Sequence, residues 1–392
     1  MVRFAHIADV HLGGWKQPEM QQLNFQSFKK AVDICLSSKL DFILIAGDLF
    51  DSAYPPIEIL KQTFEQFKRI KEARIPVFLI AGSHDYSVSG RTFLDVLEKA
   101  GFCKNVFNAE NSERENDETI YLNPEIYGNI AIYGYHGKKS GLEVPELRKV
   151  KLNDSPGMFK IFMLHSTIDK VVGNVPMDYL NTSELPKADY YAMGHIHVRH
   201  RGGGIVYPGP VFPNSFKEME DLEYGSFVIV DTDANEQIQH IKIPTRPIEK
   251  AEFEITDAYS ATEHIISELE KRNLEDKVIL LRIKGELEKG KNSDIKFSKI
   301  EDFVRSKGAY FMLKNTHDLK SKELEMDMDV SEKSSENIED ETINNYAEKN
   351  PSEFNNKIPQ LMSALSLEKQ EDEKNETFNS RLIDEVRRIL EF

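Results

Sequence analysis

The sequence reads as an α/β protein built on a largely parallel sheet whose two faces are covered. Three observations carry that reading. Short apolar runs alternate with amphipathic stretches of helical period, the alternation persists over about the first 240 residues, and carboxylates or imidazoles follow the ends of the runs. In order, Val2 to Ala8 reads as a strand, and Phe25, Phe28, Val32 and Leu36 mark one helical face. Phe42 to Ala46 is a second strand, Ile57, Leu60, Phe64 and Phe67 mark a second helix, and Pro76 to Ala81 is a third strand. Further strands are expected at Ile161 to Leu164, Tyr190 to Met193 and Phe227 to Val230, with Gly202 to Gly204 and Tyr207 to Pro213 as surface loops. Such a sheet collects function at the carboxyl ends of its strands.

The pattern restarts near Pro244. Phe253 to Ile255, a helix through Ile265, Ile266 and Leu269, the run Val278 to Ile283, a helix through Ile300 and Phe303, and Tyr310 to Leu313 make a second, small β-α-β-α-β unit. The expected boundaries are 1–245 for the first domain, 246–317 for the second, 318–341 for an acidic linker rich in Ser, Glu, Asp and Lys, and 342–392 for a helical segment. That segment carries a short stripe at Ile358, Leu361, Met362 and Leu365 and a longer one at Phe378, Leu382, Val386 and Ile389.

At 392 residues, 40% hydrophobic and 30% charged, the chain has ample material for folded cores, and no apolar run approaches a membrane span. Two cysteines, Cys35 and Cys103, are too few for a disulfide framework, so a reducing, cytoplasmic setting is expected. The formal charge of -16 argues at first against a nucleic-acid partner. That charge is uneven: residues 321–392 hold 9 Lys+Arg and 19 Asp+Glu, leaving 41 and 47 for residues 1–320.

The strand ends read Asp9-Val10-His11, Gly47-Asp48-Leu49-Phe50-Asp51, Gly82-Ser83-His84-Asp85, His165, and Gly194-His195-Ile196-His197. Taken singly, each is an ordinary cap, turn or surface residue. Together they place ionisable groups at five sheet edges, where they repel or go unsatisfied unless cations sit among them. Carboxylates mixed with imidazoles suit manganese, iron or zinc better than calcium. The ligand count implies two ions, with Asp48 as the natural bridge, and such a pair serves in-line phosphoester hydrolysis.

The order D-x-H, GD-x-x-D, G-x-H-D, H, GH-x-H resembles the calcineurin-like metallophosphoesterase superfamily across about residues 1–240. The wording Phe4-Ala-His-Ile-Ala-Asp-Val-His-Leu-Gly13, Ala46-Gly-Asp-Leu-Phe-Asp51 and Gly194-His-Ile-His197 is similar to the archaeal and SbcD-like DNA double-strand-break repair nucleases. The resemblance implies a sheet sandwich flanked by helices, a small capping domain that positions DNA, and C-terminal helices that grip an SMC-like coiled-coil ATPase. It implies a homodimer with 3′ to 5′ double-strand exonuclease and single-strand endonuclease activity. By the same resemblance Asp9, His11, Asp48 and His197 hold one metal and Asp48, His165 and His195 the other, with manganese in both as the family expectation. His84 is then the general acid and Asp51 its orienting partner. One departure stands out: the family's Asn, a ligand of the second metal, is here Ser83, whose hydroxyl is shorter and weaker.

Trp15, Lys16, Arg91, Arg199 and Arg201 lie beside these motifs in sequence and are the expected DNA contacts. Phe378, Leu382, Val386 and Ile389 are the expected partner-binding stripe. Two rivals stay open: a phosphodiesterase for nucleotides or small phosphoesters, and a catalytically weakened scaffold of the same fold.

Overall fold

A computed structural model describes residues 2–87, 92–107, 112–115, 119–172, 178–232, 237–321, 355–365 and 375–390. The chain divides into two compact units, Met1–Lys322 and Glu323–Phe392.

The first unit is organised around two six-stranded sheets. In one, Arg3–Ile7, Phe42–Ala46, Val77–Ile80 and Lys104–Asn105 run parallel, and Gly225–Asp231 and Gln237–Ile243 extend it antiparallel beyond Arg3–Ile7. In the other, Ile130–Tyr135, Phe159–His165, Tyr190–Gly194 and Ile205–Pro208 run parallel between the antiparallel edges Glu125–Tyr127 and Arg199–Gly202. The strands are buried on both sides because alternate residues serve different cores. Phe4, Phe42, Leu44, Phe78 and Ile80 pack with Ile132, Ile161, Met163 and Tyr190 between the sheets. Ala5, Ile7, Ile43, Ile45 and Leu79 face outward onto the helices Pro18–Ser37, Ile57–Glu72 and Phe93–Lys99 through Phe28, Val32, Phe67 and Leu97. This two-sided burial explains why the first three strands read as unbroken apolar runs.

Within the same unit a further parallel sheet follows, made of Ile248–Glu254, Val278–Leu287 and Phe311–Asn315, with Leu319–Ser321 also paired to the long strand. The helices Ala258–Glu270 and Phe297–Ser306 cover it through Ile265, Leu269, Ile300 and Val304. A separate apolar cluster joins this sheet to the sandwich: Val278, Leu280 and Leu313 meet Trp15, Met20, Leu23, Phe212 and Met219.

One loop expectation is corrected. Tyr207 to Pro213 is buried rather than a surface loop: Tyr207, Val211 and Phe212 are at most 1% exposed, and Val211 N–H donates to the Asp9 carbonyl at 3.3 Å. Its prolines and Gly209 (φ 77°) serve a chain that must pass beneath the first strand end, where a Cβ on Gly209 would lie 2.9 Å from Ser226 Oγ.

In the second unit the described elements include the helices Ile358–Leu365 and Asn375–Leu390. Along the latter Phe378, Leu382, Val386 and Ile389 are half-buried and Ile383 is exposed. Most of the expected linker, from 322 onward, and Arg91 lie outside the described residues. Among the described residues no helix is long and apolar enough to cross a membrane.

Candidate metal centre

Five strand ends converge at one edge of the sandwich. The chain turns there through unusual backbone: Asp9, His11, Asp48 and His195 have φ of 52°, 48°, 51° and 94°, in the left-handed region that side chains other than glycine seldom occupy. Glycines make the close approach possible. A Cβ on Gly47 would stand 2.2 Å from His165 Nδ1, and one on Gly82 2.2 Å from Asp48 Oδ1. The strained loops are held by Asp85, a buried carboxylate that accepts backbone N–H groups from Leu49 (3.0 Å), Phe50 (2.9 Å) and Gly82 (3.1 Å) and so ties the second strand end to the third. Burial, together with the neighbouring Asp48 charge, raises its carboxyl to about 6 despite those bonds.

Three groups of ligating atoms, each within 4.8 Å, overlap here: Asp9, His11 and His197; His11, Asp48 and His84; Asp48, His165 and His195. Asp48 sits between the outer two. Its Oδ1 is taken by the His84 backbone N–H at 2.8 Å, while Oδ2 lies 3.5 Å from His11 Nε2 and 3.1 Å from His165 Nε2. Asp9 Oδ1 likewise accepts the His195 N–H at 2.9 Å, which leaves Oδ2 buried without a hydrogen-bond partner.

The surrounding hydrogen bonds fix the imidazole tautomers. His11 Nδ1 donates to Asp51 Oδ1 (2.9 Å), His197 Nδ1 to Glu218 Oε2 (3.0 Å) and His165 Nδ1 to the Ala46 carbonyl (2.9 Å). In the neutral rings each Nε2 then carries a lone pair. Yet His11 Nε2 and His197 Nε2 face each other at 3.1 Å, and His165 Nε2 faces a carboxylate oxygen. Lone pair against lone pair at such distances requires a positive centre between them, a proton or a metal ion. The orphaned Asp9 Oδ2 and the buried His165 Nε2, which makes a charge contact only if protonated, say the same. The cluster therefore fits divalent cations of the borderline kind.

Protonation without an ion follows the same logic. Burial opposes charge on His165, but Asp48, Asp9 and the Ala46 carbonyl raise it to about 10. Burial likewise opposes charge on His197, and the Glu218 hydrogen bond with the nearby carboxylates raises it to about 9. Burial and the His165 charge lower His195 to about 3. Asp48 is buried, which works against ionisation, yet His165, His11 and His84 hold it well below the usual carboxylate range.

His84 stands at the mouth with its side chain 46% exposed. Its Nδ1 donates to the Asp51 carbonyl at 2.9 Å and lies 3.4 Å from Asp51 Oδ1. Asp51 thus serves two histidines: its backbone oxygen holds His84 and its carboxylate holds His11. Ser83 is nearly buried, and its Oγ is 3.4 Å from Asp48 Oδ2. His6, close by in sequence, is a satisfied core residue instead, accepting from Tyr190 Oη at Nδ1 (2.9 Å) and donating from Nε2 to the Met193 carbonyl (3.2 Å).

Two expected DNA contacts are committed to the protein itself. Trp15 is 7% exposed and its indole N–H donates to the Pro213 carbonyl at 3.1 Å, so the ring belongs to the joint with the small sheet. Arg199 donates to Ser226 Oγ (3.0 Å) and to the Leu222 (3.2 Å) and Tyr224 (2.6 Å) carbonyls, its guanidinium 3.9 Å from the Tyr224 ring. Lys16 and Arg201 are exposed. Sequence reasoning gave no role to Asp85 or Glu218, which orient the loops and His197.

A two-sheet sandwich whose strand ends assemble carboxylates and imidazoles in this manner is the scaffold of a metallophosphoesterase. The calcineurin-like phosphoesterase family model matches residues 2–199, half of the chain, and the chain belongs to that family. It is 32% identical to the DNA double-strand break repair protein Mre11 of Archaeoglobus fulgidus over 237 residues, 56% of this chain and 52% of that protein. The protein of the same name from Methanocaldococcus jannaschii is 29% identical over 315 residues, 76% of each chain. An uncharacterized metallophosphoesterase of Bacillus subtilis, YhaO, is 28% identical over 276 residues, 66% of this chain and 64% of that one. The match thus spans about half the length of the Archaeoglobus relative.

Proposed function

We propose that this protein is a two-metal DNA phosphodiesterase that processes DNA ends in double-strand-break repair, as a 3′ to 5′ exonuclease on duplexes and an endonuclease on single strands. The observation that carries the metal reading is the opposition of His11 Nε2 and His197 Nε2 at 3.1 Å, with both Nδ1 atoms already committed to carboxylates. Similarity to relatives named for break repair supports DNA as the substrate. Asp9, His11, Asp48 and His197 would hold one ion, and Asp48, His165 and His195 the other, with Ser83 beside Asp48. A pair of divalent cations held there, manganese by preference, would supply neutralisation of phosphoryl charge and activation of a water nucleophile. The protein's own groups do the rest. His84 keeps Nε2 for the proton that the leaving sugar oxygen takes up, because Nδ1 is engaged by the Asp51 carbonyl.

In the same reading the small sheet, 246–317, caps the site and positions duplex DNA, and Lys16 and Arg201 contact phosphates. The stripe Phe378, Leu382, Val386 and Ile389 binds a coiled-coil repair ATPase, and the active assembly is a cytoplasmic homodimer. Deleting residues 340–392 is expected to abolish ATPase binding; unchanged affinity would contradict that role. Release of mononucleotides from a linear duplex, with manganese and with the His84→Ala variant in parallel, tests the activity. Turnover of a small phosphodiester without release from DNA favours the small-substrate rival. Turnover of neither favours a scaffold.

A further inference from the structure

The short helix Phe216–Leu222 touches the metal centre on one side and the small sheet on the other. Glu218 Oε2 accepts from His197 Nδ1 at 3.0 Å and from the Asn214 backbone N–H at 2.8 Å. Two residues later, Glu220 receives Arg282 in a two-pronged ion pair, Nε to Oε1 at 3.0 Å and Nη2 to Oε2 at 2.6 Å. Arg282 belongs to Val278–Leu287, the long strand of the small sheet, and its guanidinium also lies 5.2 Å from the Phe216 ring. Both side chains of this pair are about four-fifths buried, so it is not one of the solvent-screened surface pairs that contribute little.

We infer that the small sheet sets the geometry of the Asp9, His11 and His197 pocket through this helix, with Glu218 and Glu220 as positioning residues. A seven-residue helix has no stability of its own, so its place is dictated by what it packs on. Its start is capped by Ser215, whose Oγ accepts the Glu218 N–H at 3.1 Å. Its end is held by Arg199 at the Leu222 carbonyl, and just beyond it Glu223 pairs with Lys250 of the small sheet at 2.5 Å. Its apolar face, through Met219 and Phe216, lies in the cluster formed by Trp15, Phe212, Val278, Leu280 and Leu313. Moving the sheet therefore moves Glu218, and with it the ring whose Nε2 completes the pocket. Carboxylates that orient ligating imidazoles typically matter by 10- to 100-fold in metal affinity.

The inference rests on the proposed metal reading. Titration of the full chain with manganese, read by the electron paramagnetic resonance of free ion, separates the two. For the wild-type chain two ions are expected. Arg282→Ala and Glu220→Gln, neither of which touches a ligand, are expected to weaken one ion, that of the Asp9, His11 and His197 pocket, by roughly tenfold and leave the other unchanged. Arg272→Ala, which removes a contact to Glu249 inside the small sheet, is expected to change neither. The exchange Glu220→Arg with Arg282→Glu is expected to recover part of the loss. Wild-type affinity for both ions in Arg282→Ala and in Glu220→Gln overturns the coupling while leaving the metal reading intact. So does an equal loss in Arg272→Ala. A wild-type chain that takes up no manganese overturns both.

Discussion

The two halves of the metal centre are built with unequal support. In the Asp9, His11 and His197 pocket both imidazoles are oriented by carboxylates, His11 by Asp51 on the second strand's loop, 40 residues on, and His197 by Glu218 on a short helix 21 residues on. In the Asp48, His165 and His195 pocket, His165 is oriented by a backbone carbonyl, and Ser83 reaches only Asp48, at 3.4 Å. A carboxylate partner raises the basicity of a ligating imidazole more than a neutral carbonyl does. Ligand identity alone therefore does not rank two pockets sharing Asp48; their supporting groups do, and the first is the better furnished.

The largest expected effect comes from removing what the pockets share. Asp48→Asn is expected to lose manganese binding in both and to lower activity about a thousandfold, the worth of several kcal/mol of charge stabilisation; retention of one ion at full affinity would show that the pockets are independent. His84→Ala, outside both sets of supporting bonds, is expected to lower kcat by roughly 10²- to 10⁴-fold with two ions still bound. A loss of metal in that variant would make His84 a ligand rather than a proton donor. Ser83→Asn supplies an amide oxygen to the weaker pocket, so manganese titration is expected to show that ion tightening while the other holds. Equal affinities at both pockets in the unaltered chain would remove the basis of the comparison.

Outside both pockets, acid stability gives a separate reference. His6 is fully buried, and burial lowers it from 6.5 to about 3, against the Met193 carbonyl that favours its proton. Its folded pKa lies below its unfolded value, so its contribution is intact above pH 6.5 and is lost as pH falls toward 3. Urea unfolding in chelator is expected to show the wild-type chain losing up to about 1.4 kcal/mol more per pH unit across that window than His6→Gln. Parallel slopes would assign the acid sensitivity to other groups.

The sequence made the first domain's strands and candidate ligands legible for one reason: apolar runs buried on both sides end abruptly in Asp or His, and those residues have no place in a core. The small sheet was legible from the same alternation. Edge strands were not, since Arg199-His200-Arg201-Gly202 shows neither apolar alternation nor a β-branched side chain. Trp15 and Arg199 misled because a ring or cation beside a motif looks available until the chain supplies its partners. For Trp15 that partner is Pro213, and for Arg199 the carbonyls at Leu222 and Tyr224. Glu218 was hidden among Glu218, Glu220, Asp221 and Glu223, a run whose members differ only in what the fold brings to each. Asp85 was visible in its motif but silent about its role, because three backbone N–H groups leave no mark in a sequence.

Anomalous diffraction from crystals of the full chain grown with manganese locates the ions and counts them. Two anomalous peaks are expected on either side of Asp48, one among Asp9, His11 and His197 and one beside His165 and His195, with the first at higher occupancy. A single peak, or none within coordination distance of Asp48, would contradict the two-ion centre.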